Sequence, residues 1–161
     1  MRAPVHIVQY ENKYAPYFKE LNLVWLTQYF SVEDIDREVL EQPGERVLAP
    51  GGMIFFALHD TEPVGTTAVV NHGHGVYELS KLAVREDMKR KGIGRMLIEV
   101  AVQWAKAHDG TWLFLESNSI LEPAIKLYEN AGFKHEQLNA GSHYSRTNLR
   151  MGMNLNVSGT K

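Results

Sequence analysis

Between Val76 and His108 the sequence changes from strand character to helix character, and a basic turn rich in glycine joins the two. Val76 to Val84 reads as a strand, and residues 89–95 of the turn read Lys-Arg-Lys-Gly-Ile-Gly-Arg. From Gly92 onward, apolar residues recur on one helical face: Ile93, Met96, Leu97, Val100, Ala101 and Trp104. Glycines at a helix start let backbone N–H groups approach an anion, where the helix dipole is positive. The segment therefore predicts a site for a phosphate or a diphosphate.

Three phosphate-binding motifs can be compared with this turn. A Walker loop requires lysine and then Ser or Thr after its second glycine, but Gly94 is followed by Arg and Met. A dinucleotide fingerprint requires a third glycine where Leu97 stands, although Glu116 could supply its ribose-binding acid. The third pattern, basic-x-x-Gly-x-Gly, is satisfied by Lys89, Gly92 and Gly94. A solvated basic turn at a helix start stays open as the alternative.

The rest of the chain predicts a mixed α/β fold. Predicted strands cover Val5–Gln9, Met53–His59, Val64–Asn71, Val76–Val84, Trp112–Leu115, about Phe133–Leu138 and Tyr144–Leu155. Predicted helices cover Tyr14–Phe30, a short helix from Ser31, Gly92–His108 and Leu121–Ala131, with a loop over Gln42–Gly52. Turn residues separate the three strands between 53 and 84, which predicts an antiparallel meander. This order predicts a mixed sheet with helices on its faces.

Two details of the helices follow from spacing. Ser31 and Ser119 each precede an acidic residue by three positions, which predicts a capping box at each helix start. In the first helix the predicted apolar face consists of Tyr17, Phe18, Leu21, Val24, Trp25 and Tyr29.

Composition excludes several classes of protein. The 161 residues suit one domain, 1–161, and 44% hydrophobic with 22% charged residues is typical of a soluble globular protein. The chain has no cysteine, which excludes disulfides, thiolate metal sites and cysteine nucleophiles. A net charge of −2 argues against nucleic acid or an anionic membrane as a partner. No apolar stretch is long enough for a membrane span, and we expect a cytoplasmic protein.

The chain resembles the GNAT superfamily of N-acetyltransferases over nearly its full length, most strongly from Tyr77 to Phe133. Tyr77 to Arg85 looks like the family's central strand, which runs into the glycine turn. The family usually has Gln or Arg where this chain has Lys89, so the charge is kept but planar bidentate geometry is lost. A second family signature is similar to Asn118, Ala124 and the stretch Leu-Tyr-Glu-Asn-Ala-Gly-Phe over residues 127–133.

The resemblance implies a GNAT-type fold and an enzyme that passes an acetyl group from acetyl-CoA to a primary amine. A parallel pair of strands, residues 79–84 and 112–116, would splay, and coenzyme A would lie in the opening. Backbone groups of Leu82, Ala83 and Val84 would then hold the pantetheine arm and polarise the acetyl carbonyl. The diphosphate would be bound by the turn: Lys89, Arg90, Lys91, Gly92, Ile93, Gly94 and Arg95. Transfer would be direct, within a ternary complex.

Tyr128 and Glu78 are the catalytic candidates. Tyr128 lies where family members often keep the tyrosine that protonates the departing thiolate, although its helical spacing also suits a core residue. Glu78 could deprotonate the substrate ammonium, directly or through water; otherwise it forms a salt bridge with Lys81 or a neighbouring strand. Strict alternation would place Glu78 and Leu82 on one face of the strand and Lys81 on the other. Glu116 is the alternative base.

Three further groups carry weaker signals. Asn118 could contact the cofactor arm, or it caps the following helix. His72 and His74 flank a glycine, but no nearby acids or cysteines complete a metal site, so a solvated turn and no metal are expected. An acceptor pocket could form from aromatic residues and nearby acids: Trp25, Tyr29 and Phe30 with Glu33, Asp34 or Asp36.

The sequence leaves the acceptor open as a small molecule or a peptide amine. A non-catalytic acyl-CoA-binding relative of the same fold is the rival interpretation. An exposed terminal strand would also allow a homodimer.

Overall fold

The computed structural model describes residues 4–138 and 144–156, which contain seven strands and four α-helices. The strands are Val5–Gln9 (β1), Met53–His59 (β2), Glu62–Gly73 (β3), Val76–Val84 (β4), Trp112–Ser117 (β5), Lys134–Glu136 (β6) and Leu149–Asn154 (β7). The helices are Ala15–Tyr29 (α1), Asp34–Glu41 (α2), Ile93–Ala107 (α3) and Glu122–Ala131 (α4). None of the helices in this part of the chain has both the length and the apolar character that crossing a membrane requires.

All seven strands form one sheet in the order β1-β2-β3-β4-β5-β7-β6. Every neighbouring pair is antiparallel except β4 and β5, which are parallel. Strands β2, β3 and β4 form the predicted meander, because tight turns join each to the next. The predicted mixed α/β architecture is confirmed.

The parallel pair β4–β5 is short. Its register joins only Val76–Glu78 to Trp112–Phe114, although β4 continues to Val84 and β5 to Ser117. The two strands therefore part after Glu78, and the remaining backbone groups on their facing edges have no strand partner there. We call this opening between β4 and β5 the cleft.

Strand β4 carries a bulge at Lys81. Its φ is +58°, a left-handed conformation that a lysine rarely adopts, and the register with β3 shifts between Thr66 and Ala68. Because of the extra residue, Leu82 packs with the α3 side of the sheet, whereas Lys81 reaches Asp36 of α2 on the other side. The strict alternation expected for this strand is therefore wrong beyond Ser80.

Two apolar clusters hold the sheet between helices. The cluster on the α3 side includes the fully buried Leu97, Ile98 and Ala101, and the cluster on the α1 side includes Phe18 and Leu26. In α1 the buried residues are Phe18, Asn22 and Leu26, whereas Val24 and Tyr29 of the predicted face are 58% and 42% exposed. The buried face of α1 is therefore rotated relative to the predicted one. The apolar pattern did not indicate this, because the buried face includes the polar residue Asn22.

Several predicted boundaries are corrected. Helix α2 begins at Asp34 with Glu33 as its cap: the Glu33 side chain accepts from the backbone of Asp36, and the Asp36 side chain accepts from the backbone of Glu33. The capping box expected at Ser119 does not form, because α4 starts at Glu122 without a side-chain cap. The predicted loop over Gln42–Gly52 contains a π-helical turn over Gly44–Leu48.

Candidate active site

The glycine turn ends in an uncapped helix N-terminus. Gly92 is the N-cap of α3 with a φ of +83°, and no side chain of the described residues caps the helix. The first amides of a helix have no intrahelical partner, so those that follow Gly92 are available to an anion. A Cβ on Gly92 would meet no atom within 4 Å, so the space above the turn is open.

The cations of the turn are exposed at the surface. Lys89 pairs with Glu86 at 3.1 Å and Arg95 with Glu99 at 3.0 Å, and Arg90 adopts a positive φ of 65°. Exposed pairs of this kind are weak and can be exchanged for a stronger anion. Lys91 is also exposed. The turn thus gathers four positive side chains around the N-terminus of α3.

Ile93 and Gly94 begin α3 in the interior. Ile93 is 2% exposed, so only its backbone can face a ligand. A Cβ on Gly94 would lie 3.0 Å from Cδ1 of Leu127, so this glycine lets α4 pack closely against the start of α3. Gly94 therefore has a packing role that the motif alone did not indicate.

Backbone amides of β4 line the cleft. The Arg85 N–H donates to the Val64 carbonyl at 2.7 Å, so residue 85 faces β3. Successive residues of a strand direct their amides to opposite neighbours. The amides of Leu82 and Val84 therefore point into the cleft, whereas that of Ala83 points toward β3.

Tyr128 of α4 is buried, 8% exposed, with its ring packed edge-on against Phe133 at 6.0 Å. Burial raises the pKa of its hydroxyl above the ordinary value, so the group keeps its proton at neutral pH. Within the described residues, no hydrogen-bond partner is found for this hydroxyl. A buried tyrosine hydroxyl usually has a partner, so Tyr128 combines the packing of a core residue with a hydroxyl whose partner is not among the described residues.

Glu78 lies where β4 and β5 part, and it pairs with His72 of β3. The His72 Nε2 is 2.8 Å from Glu78 Oε1, and the imidazole lies 5.2 Å from the ring of Phe114. The hydrogen bond to Glu78 raises the pKa of His72, although burial acts in the opposite direction. The expected salt-bridge partner on a neighbouring strand is thus a histidine, and His72 is not merely part of a solvated turn.

His74 lies apart from this pair, exposed in the β3–β4 turn. Over residues 4–138 and 144–156, no three His, Cys, Asp or Glu side chains gather as they would around a metal ion.

A buried polar cluster centres on Asp36, which is fully buried. Its carboxylate accepts from Lys81 Nζ at 2.7 Å and from both terminal nitrogens of Arg146 at 2.8 and 2.9 Å. Burial would raise the pKa of Asp36, but the hydrogen bonds from Arg146 and the charge of Lys81 lower it to about 2. Lys81 also donates to the Tyr144 hydroxyl at 3.0 Å.

Arg146 joins this cluster to aromatic rings at the C-terminal end of α1 and to Tyr144. Its guanidinium carbon is 4.2 Å from the ring centre of Tyr144, 5.6 Å from Trp25 and 5.7 Å from Phe30. It also contacts Glu33 at 3.4 Å. The structure therefore brings together four members of the expected acceptor pocket: Trp25, Phe30, Glu33 and Asp36.

Two other members of that pocket, Tyr29 and Asp34, face solvent. Tyr144 and Arg146 were missed as site residues. They were predicted to lie in the last strand, but β7 begins at Leu149, so both lie in an irregular segment where no periodic signal marks them. A lysine among apolar strand residues, as at Lys81, is a signal that could have been used, since a buried ammonium requires a charged partner.

Glu116 and Asn118 lie beyond the end of the parallel pairing. Arg150 lies 3.9 Å above the ring of Phe114 and donates to Glu116 at 3.4 Å. The Asn118 amide donates to the Arg146 carbonyl at 2.6 Å, and its oxygen accepts from the Ile120 N–H at 2.9 Å. Asn118 therefore holds the turn after β5 to the Arg146 segment instead of capping α4.

The comparisons with known proteins agree with this geometry. The sequence profile of the Acetyltransferase (GNAT) family matches residues 16–133 of the chain. The chain belongs to the GNAT family of acetyltransferases. The GNAT relative YobR, an uncharacterised N-acetyltransferase of Bacillus subtilis, is 27% identical over 118 residues. That match covers 71% of this chain and 47% of YobR, so this GNAT chain spans about half the length of its relative.

Solved GNAT structures share the fold over nearly the whole chain. A GNAT acetyltransferase of Staphylococcus aureus Mu50 has a TM-score of 0.86 and 20% identity, covering 94% of this chain and 99% of that one. A Salmonella typhimurium protein described as a putative acetyltransferase, yncA, was solved with acetyl-CoA. Its TM-score is 0.76 with 16% identity and 98% coverage of both chains. These likenesses confirm the GNAT-type fold that the sequence predicted.

Proposed function

We propose that this chain is an N-acetyltransferase that transfers the acetyl group of acetyl-CoA to a primary amine of a small molecule or peptide. One observation carries the proposal: strand β4, which borders the cleft, leads through the glycine turn directly to the uncapped N-terminus of α3. A ligand with a diphosphate at one end and an extended polar arm matches this arrangement. The GNAT family and the acetyl-CoA of the yncA structure support the same donor.

The residues present fit such a donor at three points. The open space above Gly92 and the four surrounding cations suit the diphosphate. The cleft-facing amides of Leu82 and Val84 suit the amide groups of the pantetheine arm. The buried Tyr128 hydroxyl has a proton without an acceptor among the described residues, which suits a thiolate.

The proposed reaction is direct attack of the amine on the thioester within a ternary complex. Glu78, at the start of the cleft, accepts a proton from the substrate ammonium directly or through a water molecule. The Leu82 N–H donates to the thioester oxygen as negative charge develops on it. Tyr128, whose raised pKa keeps it protonated at neutral pH, then gives its proton to the departing thiolate. The second proton of the attacking nitrogen, lost as the amide forms, restores the tyrosine hydroxyl.

The donor is held along the whole length of the cleft and the turn. We infer that the diphosphate is bound by the turn from Lys89 to Arg95, as the sequence indicated. Asn118, with both ends of its amide engaged, supports the wall of the site. Residues 1–161 are proposed to act as one catalytic domain.

Binding and turnover are tested in two steps. Calorimetry with acetyl-CoA should show binding by the native protein, and Gly92→Asp should abolish it by placing a negative charge where the diphosphate lies. Release of free thiol is then measured against amines, polyamines, amino acids and peptides with free N-termini. Tyr128→Phe should lower kcat while acetyl-CoA still binds. Absence of acetyl-CoA binding would refute the proposal, and binding without turnover on any amine would favour a non-catalytic acyl-CoA-binding protein.

A further inference from the structure

Lys81 combines two features that each carry a cost. It is 5% exposed in the middle of β4, and its φ of +58° places its backbone in the left-handed region. A lysine without β-branching can adopt this conformation, but it is strained there and persists only when the surroundings hold it. Its ammonium group is also removed from water, which requires a close negative partner.

The partner is Asp36, which stands at the start of α2. The Lys81 ammonium lies 2.7 Å from Asp36 Oδ1 and 3.0 Å from the Tyr144 hydroxyl. Arg146 grips the same carboxylate with two nitrogens, and Asp36 is fixed to its own helix start through the Glu33 N–H at 2.9 Å. The bulge of β4 is thus fastened to α2 and to the segment containing Tyr144 and Arg146.

The residue that follows the bulge is Leu82, whose amide points into the cleft. The proposed function assigns to this amide the thioester oxygen, and the present inference rests on that assignment. We propose that the buried Lys81–Asp36 ion pair is a positioning device, which holds the β4 bulge so that the Leu82 N–H is aimed at the thioester oxygen. Neither side chain needs to touch the substrate for this role.

The physical basis is the alternation of a strand. Without a bulge, the backbone at residues 81–82 would return to regular alternation, and the amide of Leu82 would rotate away from the cleft. A hydrogen bond to a developing oxyanion weakens steeply when the N–H group no longer points at the oxygen, because the donor–hydrogen–acceptor angle then falls. Loss of the ion pair should therefore slow the acetyl transfer more than it weakens binding of the diphosphate, which is held at the distant turn.

The kinetic test compares Lys81→Met with Lys106→Met, a matched change at an exposed position on α3. We expect Lys81→Met to lower kcat about tenfold or more, while the KM for acetyl-CoA and the Kd for CoA change less than about twofold. Lys106→Met should match the native protein in all three. Asp36→Asn should act in the same direction, and the double variant should be no slower than the slower single variant, because the pair acts as a unit.

A spectroscopic test observes the amide itself. In protein labelled with 15N-leucine, the Leu82 amide proton should shift downfield with acetyl-CoA relative to CoA, because only the thioester supplies the carbonyl oxygen. This difference should be lost in Lys81→Met. If that variant does not fold, Lys81→Gln, which retains a hydrogen-bond donor toward Asp36, should fold and show a reduced difference.

Two results would overturn the inference. The first is a folded Lys81→Met protein that keeps the native kcat and the native difference in Leu82 amide shift between acetyl-CoA and CoA. If only Lys81→Gln folds, the same result in that variant counts equally. The other is a fall in CoA affinity that equals the fall in kcat, which indicates general damage to the site. Failure of the proposed function is distinguishable, because the native protein would then bind no acetyl-CoA at all.

Discussion

Glu78 and His72 are joined by a hydrogen bond between two strands, at the point where the sheet opens. The pair is partly buried, with 14% of the Glu78 side chain and 34% of the His72 side chain exposed. The raised pKa of His72 stabilises the fold fully below the ordinary value of 6.5, and this stabilisation is lost as the pH rises through the folded value. The charge of His72 beside the opening of the cleft therefore changes with pH.

Glu78→Gln should lower the pKa of His72, because the amide cannot offer the negative charge that favours the imidazolium ion. The measurement is an NMR titration of the His72 Cε1 proton in both proteins. Glu129→Gln is the matched control: it removes a carboxylate 2.9 Å from His135 and should leave His72 unchanged. An unaltered His72 titration in Glu78→Gln would contradict the assigned pairing.

Asp36→Asn should destabilise the protein by about 3 kcal/mol at pH 7, since two buried cations lose their shared counter-charge. The low pKa of Asp36, about 2, means that its contribution is present above the ordinary value of 3.8 and is lost as the pH falls toward 2. The difference between native and variant proteins should thus shrink in that range, measured by urea unfolding at several pH values.

The exposed Asp34 on the same helix provides the comparison. Its side chain is 95% exposed, and Arg37 of the same helix lies 2.8 Å from its carboxylate. Asp34→Asn should change the free energy of unfolding by less than about 0.5 kcal/mol. An equal effect of the two substitutions would mean that the buried cluster contributes no more than a surface pair.

Among the elements, β4 and α3 were predictable because their signals are local. The strand character of Val76–Val84 and the helical period after Gly92 depend on neighbouring residues, and both bounds agree with the structure within a residue. The bulge at Lys81 was not predictable from alternation, since it is held by a contact with Asp36, 45 positions away in sequence. The prediction that Ser31 caps α2 was wrong for a related reason. Glu33 is the N-cap instead, because its side chain and that of Asp36 each accept a hydrogen bond from the other residue's backbone.

The turn before α3 makes an element-scale prediction. Gly92→Ala should lower the free energy of unfolding by about 1 kcal/mol, because an L-residue is strained at a φ of +83° even where space is open. The affinity for CoA should fall as well, if the turn holds the diphosphate. Urea unfolding and calorimetry supply the two measurements.

Gly44→Ala controls for the loss of a glycine. A Cβ on Gly44 would meet no atom within 4 Å, and the φ of Gly44 is not positive, so this change should be neutral or slightly stabilising. If Gly44→Ala destabilised the protein as much as Gly92→Ala does, the positive φ of Gly92 would not be the cause of the Gly92→Ala effect.

On the scale of the whole molecule, the family and the sheet could be predicted, but only part of the expected acceptor pocket could. The donor side depends on a continuous segment, residues 77–133, whose spacing carries the motif. The cluster expected to form the acceptor pocket draws its residues from α1, the start of α2, β4 and the segment around Arg146, which are far apart in sequence. Side chains such as Trp25 and Arg146 meet only through tertiary packing, so no spacing rule places them together.

A ligand that bridges the two parted strands should stabilise the entire fold. Saturation at about 100 times Kd adds roughly 2.7 kcal/mol, which corresponds to a rise in Tm of about 5–10 °C for a chain of this size. Thermal unfolding with CoA should show this rise, and Gly92→Asp should not. An equal rise with ATP would indicate a general nucleotide site instead.

The short ladder between β4 and β5 divides the sheet into two plates, one of four strands and one of three. Within the described residues, the strand register between the two plates covers only residues 76–78 and 112–114, so few backbone hydrogen bonds of the sheet join them. A ligand bound in the cleft would contact both plates and add interactions between them. The two plates should therefore resist separation more strongly in the ligand-bound protein than in the ligand-free protein.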